Sequence, residues 1–212
     1  MDHNSVDDRL VPALDAWFGV LRRRTGAPVP LVPAKKRDLD TLEGAWGQEP
    51  PPDVVALYEY SNGAWRDRKT PLDVFMPNWG QFRPISRHVY SMTWELAEEI
   101  PAGPGYDELP GRDFEKNIPI INFDTGDQLS IMTAPSVYQA VAYYSLDSAI
   151  YWKARRLSEW ISYAVELENR GMLNWDAKGR PTIAVSGRPC PFDPDLEGYG
   201  GGWRWEPFGE GS

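Results

Sequence analysis

Pro51-Pro52-Asp53-Val54-Val55-Ala56-Leu57-Tyr58, halted by Asn62-Gly63, is the stretch on which the fold turns. Prolines are tolerated at or just before the first helical position, an acid in the first turn suits the positive end of the helix dipole, and Asn and Gly accept the positive φ that ends a helix. The stretch therefore predicts a short helix opening at the prolines. Ahead of it, Leu10, Leu14, Trp17, Phe18 and Leu21 recur at helical spacing. Ser5 and Asp8 resemble a capping box, and Arg22, Arg23 and Arg24 precede Gly26 at the negative end, so a helix over 6–24 is predicted. Leu39, Leu42 and Trp46 share one side of a second, shorter helix.

Downstream the period changes from helical to extended. Runs at 72–75 and 82–85, bounded by Pro, Gly or Asn, read as strands, and Ser86 reads as the cap of a helix to Ile100 with Val89, Met92, Leu96 and Ile100 facing inward. Residues 101–117 form a polar loop. Strands are predicted at 118–123, 129–132 and 137–144, with a turn at Asp124-Thr125-Gly126-Asp127, giving an antiparallel meander. Leu157, Trp160, Ile161, Ala164 and Val165 then space out a last helix, capped by Ser158 and stopped by Gly171. Helices grouped around a block of strands make this an α+β chain.

The chain has 212 residues, enough for one domain with a sizeable core, and ten Trp, ten Tyr and seven Phe to fill it. The acidic start Met1-Asp2-His3-Asn4-Ser5 lacks the basic, then apolar, pattern of a secretory signal. No run approaches the roughly 20 apolar residues that span a bilayer, and Cys190 stands alone. The expected location is the cytoplasm. A net charge of -9 works against binding a phosphate backbone and favours a cationic partner. The excess lies at 51–131, with 7 basic and 13 acidic residues. Glu95, Glu98 and Glu99 are among them. From Asp176 the chain is rich in Gly and Pro yet keeps Phe192, Tyr199, Trp203, Trp205 and Phe208, so 176–212 reads as an aromatic extension of a domain at 1–175.

In order and spacing these pieces resemble the SUKH superfamily, which includes fungal cell-wall-assembly regulators and many bacterial immunity proteins. The similarity runs from about Leu14 to Asp176. It rests on the early helix with Trp17, then Leu39-Asp40-Thr41-Leu42-Glu43, the Pro51-to-Tyr58 stretch, Ile118-Pro119-Ile120-Ile121 with Gly126-Asp127, and Leu157-Ser158-Glu159-Trp160-Ile161. It departs in having Pro51-Pro52 where the family has Leu-Pro, in the inserted loop at 101–117, and in the aromatic extension. The resemblance implies a single α+β domain, with an antiparallel or mixed central sheet flanked by helices. It also implies protein binding without catalysis, most often neutralisation of a polymorphic toxin domain.

The residues themselves offer little chemistry. Two histidines, His3 and His88, do not furnish a triad or a His-rich metal site, and Cys190 sits between prolines in the extension. There is no phosphate-binding Gly loop and no Gly-x-Ser-x-Gly. Asp124 and Asp127 could hold a cation or share acid and base roles, or could simply be turn residues. No catalytic residue, metal or cofactor is expected. The favoured function is an immunity protein whose acidic and aromatic surface binds a basic toxin domain, such as a nuclease, and not nucleic acid or membrane. The partner-binding candidates are Trp65, Trp79, Trp94, Glu95, Glu98, Glu99, Asp124 and Asp127, with the rings alternatively part of the core and the acids a solvated face. An intracellular regulator or scaffold is the alternative, and a carboxylate-based hydrolase a third reading. Oligomeric state is open.

Overall fold

The structure, a computed structural model, describes residues 5–47, 49–72, 75–77, 80–87, 117–123, 126–133, 138–144 and 150–183. Helix α1, Leu10–Thr25, buries the predicted stripe of Leu10, Leu14, Trp17, Phe18 and Leu21 and ends at Gly26, whose φ of 62° is left-handed. It begins later than its periodicity predicts. The Ser5–Asp8 capping box does not form, because the helix begins only at Leu10, with Arg9 as an N-cap without a side-chain cap, and Ser5 and Asp8 both precede it. Helix α2, Lys36–Trp46, buries Leu42, and Asp38 accepts a hydrogen bond from the Lys35 N–H. Helix α3, Pro52–Tyr60, starts where the prolines place it.

The predicted strands at 72–75 and 82–85 do not form among the described residues. Isolated bridges take their place, Trp65 with Pro71, Met76 with Gly80 and Gln81 with Asn122, because Pro71, Pro77 and Pro84 each remove a ladder donor. The segment is held by the core instead: the Trp17 indole N–H donates to the Phe75 carbonyl at 2.8 Å, and Phe75 packs on Phe18 and Phe82. Residues 85–87 are helical, at the start of the helix predicted from Ser86. The remainder of that helix and the loop at 101–117, apart from Asn117, lie outside the described residues.

The sheet is an antiparallel meander in the order β1, Asn117–Asn122; β2, Gln128–Met132; β3, Val141–Tyr144; and β4, Ile150–Ala154. The first three match prediction, except that β3 starts at Val141 because the chain turns through Gln139, whose φ is 66°. The sequence reading did not include β4. Strand alternation gives the sheet two faces. Ile118, Leu129, Ile131, Val141 and Tyr143 join the main core with α1, α3 and the helix that follows the sheet, α4, Leu157–Asn169.

Helix α4 packs along α1 through Leu157, Trp160, Ile161 and Ala164 and stops at Gly171, φ 66°. Ser158 does not cap it. The N-cap is Arg156, and Ser158 sits one residue inside the helix. A hairpin of β5, Leu173–Trp175, and β6, Pro181–Ile183, follows and crosses residue 176. The Trp175 indole N–H donates to Glu168, Arg24 lies over the Trp175 ring, and the hairpin is thereby fixed to both long helices. The fold is thus a mixed one of helices with an antiparallel sheet. Among the described residues no helix is long and apolar enough to cross a membrane.

Candidate functional site

A buried polar cluster joins four separated parts of the chain. Asp53, in the first turn of α3, has no solvent exposure. Arg156, just before α4, spans both its oxygens, with Nε donating to Oδ2 at 3.0 Å and Nη2 to Oδ1 at 2.9 Å. The same Nη2 donates to the Ser5 carbonyl at 3.0 Å, and the Gln139 side-chain oxygen accepts the Asp53 N–H at 3.1 Å. Asp7 completes the set: its N–H donates to Asp53 Oδ1 at 2.9 Å, and its carboxylate accepts from the Ser158 hydroxyl and from Arg9.

Each member is held in place by the others. Gln139 is a buried non-glycine residue at positive φ, a conformation that persists only where the surroundings enforce it. Here its backbone N–H donates to the Met132 carbonyl while its side chain reaches α3, so the β2–β3 turn is fastened at both ends. Burial works to raise the Asp7 carboxyl, but hydrogen bonds from Arg9 and Ser158 outweigh it and bring the group to about 2. Such a carboxylate is a very weak base. Ser158, 1 % exposed and donating to it, is therefore not an activated nucleophile. The geometry is that of a clamp whose polar groups are spent on one another.

Sequence reasoning took Asp53 only as a dipole-friendly acid and passed over Arg156. A signal was present. A cation at the N-cap of a helix opposes the dipole, so Arg156 needs a partner elsewhere. Nothing local identifies that partner, which lies 103 positions away in the chain.

Of the predicted partner-binding residues, Trp65 and Asp127 lie among the described residues; Trp79, Trp94, Glu95, Glu98, Glu99 and Asp124 lie outside them. Trp65 is half-buried, and its indole N–H donates to the Asn62 carbonyl at 2.9 Å. Beside it, residues 66–70 form an exposed tip with Arg66, Arg68 and Lys69, and Asp67 accepts backbone N–H bonds from Lys69 and Thr70 that lower its carboxyl. Among the described residues, the tip that follows Trp65 thus carries three cations against one acid. Asp127 is buried, and Tyr143 donates its hydroxyl proton to Oδ2 at 2.5 Å. That bond ties the β1–β2 turn to β3 and takes Asp127 off the surface. The structure does not bring Trp65 and Asp127 together as one site.

No family model and no curated protein matches the chain. Among the described residues no group of three or more His, Cys, Asp or Glu is placed to hold a metal ion.

Proposed function

We propose that this chain is a SUKH-like, non-enzymatic protein-binding domain, and that it acts in the cytoplasm as an immunity protein that binds and neutralises a toxin domain. The observation that supports this most is the closed polar cluster. Asp7, Asp53, Arg156, Gln139 and Ser158 are bonded to one another and hold the α3 start, the β2–β3 turn and the α4 start in fixed relation. A rigid frame suits a preformed binding surface, since less ordering is needed on association. The net charge of -9 supports a cationic partner, and a nuclease domain with a basic cleft has that character.

The test is co-expression with toxin domains encoded beside this chain, followed by affinity capture from the same cells. Rescue of growth together with recovery of the toxin is the expected result. Recovery of an endogenous envelope or signalling protein, without rescue by any neighbouring product, would replace the immunity reading with that of a regulator.

A further inference from the structure

Residues 5–9 lie across the polar cluster as a strap, and Asp7 is the one residue of the five that is buried. Val6, the strap's apolar side chain, is 46 % exposed, so no apolar anchor holds the strap down before α1 begins at Leu10. Polar contacts hold it instead, at three points spaced along its backbone. Arg156 Nη2 donates to the Ser5 carbonyl at 3.0 Å, Asp53 Oδ1 accepts the Asp7 N–H at 2.9 Å, and the Ser158 hydroxyl donates to the Asp7 carboxylate. Gln139 Nε2 adds a contact to the Ser5 carbonyl at 3.5 Å, and Arg9, within the strap, pairs with both Asp7 oxygens.

The groups that read the strap do not need it for their own arrangement. Arg156 spans the Asp53 carboxylate, and the Gln139 side-chain oxygen accepts the Asp53 N–H, so α3, the β2–β3 turn and the start of α4 stay joined when the strap lifts. Lifting it also leaves no charge unmatched, because Asp53 and Arg156 keep each other and regain water. What they read is chemically general: a peptide carbonyl, the N–H two residues on, and a carboxylate on that second residue. Val6, between the two, is exposed and is not read.

We propose that Asp53, Gln139, Arg156 and Ser158 form a recognition site for an aspartyl peptide segment, and that residues 5–7 of this chain fill it in cis as a displaceable strap. The ligand carries Asp two positions after the carbonyl that Arg156 holds, and an Arg two positions further on completes the pairing of its carboxylate, as Arg9 does in the strap. A tethered segment competes at an effective concentration of about a millimolar, so a free peptide enters when the strap's own grip is weakened. The site does not depend on the immunity reading.

The experiment uses the full chain with Asp7→Pro, which removes both the N–H and the carboxylate from the strap, and titrates it with acetyl-Ser-Val-Asp-Asp-Arg-amide by isothermal calorimetry. Saturable one-to-one binding is expected. Affinity should fall at least about tenfold for the peptide with Asn in place of its first Asp, and at least about tenfold for the wild-type chain, whose own strap fills the site. The peptide should also raise the Tm of the Asp7→Pro chain and leave that of the wild-type chain unchanged. Equal binding of the Asp and Asn peptides, or no binding to a folded Asp7→Pro chain, would overturn the proposal. Since a proline there could disturb the entry to α1, Asp7→Ala is titrated beside it with the same binding expected, and far-UV circular dichroism follows the fold of both. Loss of fold in both variants would also overturn the proposal, because a segment that the fold requires is not a displaceable occupant.

Discussion

Arg156 and Asp53 meet as a two-toothed pair, 2.9 and 3.0 Å between their donor and acceptor atoms, with the carboxylate wholly buried and the guanidinium nearly so. Removing one partner from such a pair leaves the other charged, buried and unmatched. Asp53→Ala and Arg156→Met are each expected to cost about 3–5 kcal/mol, read by urea unfolding. Arg156→Lys should recover only part of this, since an ammonium cannot span both oxygens. A loss below about 1 kcal/mol for Arg156→Met would show that the pair is not what joins α3 to α4.

Asp7 makes the clamp sensitive to acid. Its folded carboxyl, brought to about 2, lies below the ordinary value of 3.8, so its contribution is present above about pH 4 and is lost as pH falls through about 2. A depression of that size corresponds to roughly 2 kcal/mol. Asp7→Asn should lower stability at pH 7 and flatten the slope of stability against pH between about 4 and 2. An unchanged slope would remove Asp7 from the account.

Two glycines hold the loop that runs past β1. Gly63 has φ 91°, and a Cβ there would lie 2.8 Å from the Pro84 nitrogen; a Cβ on Gly80 would lie 2.9 Å from the Ile121 side chain. Gly63→Ala must overcome both a strained φ and a backbone clash, so a destabilisation of about 2 kcal/mol or more is expected, exceeding that of Gly80→Ala. Thermal unfolding of the two variants checks the order.

Ser130 carries the opposite expectation. With its hydroxyl buried and without a partner among the described residues, Ser130→Ala is expected to change stability by less than about 1 kcal/mol, and to raise it if it changes at all. A loss of about 2 kcal/mol or more, on the scale of a broken buried hydrogen bond, would contradict this reading of the hydroxyl.

Much of this frame was legible in the chain. The stripe of Leu10, Leu14, Trp17 and Leu21 fixed α1, Pro52 and Gly171 marked a helix start and a helix stop, and Asp-x-Gly-Asp marked the β1–β2 turn, because caps, turns and helical periods are local properties. β4 was missed because Ile150-Tyr151-Trp152-Lys153-Ala154 has no turn residue between it and α4, and its pairing to β3 is supplied by the sheet. β6 was hidden because Pro181 and the Gly179 turn read as loop sequence. The pairing in the clamp could not be read: Arg156 at a helix start calls for a partner, but nothing local names Asp53, 103 positions away, until the fold brings α3 against the start of α4. Asp127 was legible as a turn residue but not as the acceptor for Tyr143, for the same reason.

The most direct test of the central claim is a titration of the neighbouring toxin domain with this protein, with toxin activity measured at increasing inhibitor and at two salt concentrations. The account predicts inhibition that completes at stoichiometric protein, without turnover of the toxin or its substrate, and an association rate that falls as salt rises. Catalytic amounts of the chain sufficing to silence the toxin, or no inhibition at excess, would contradict it.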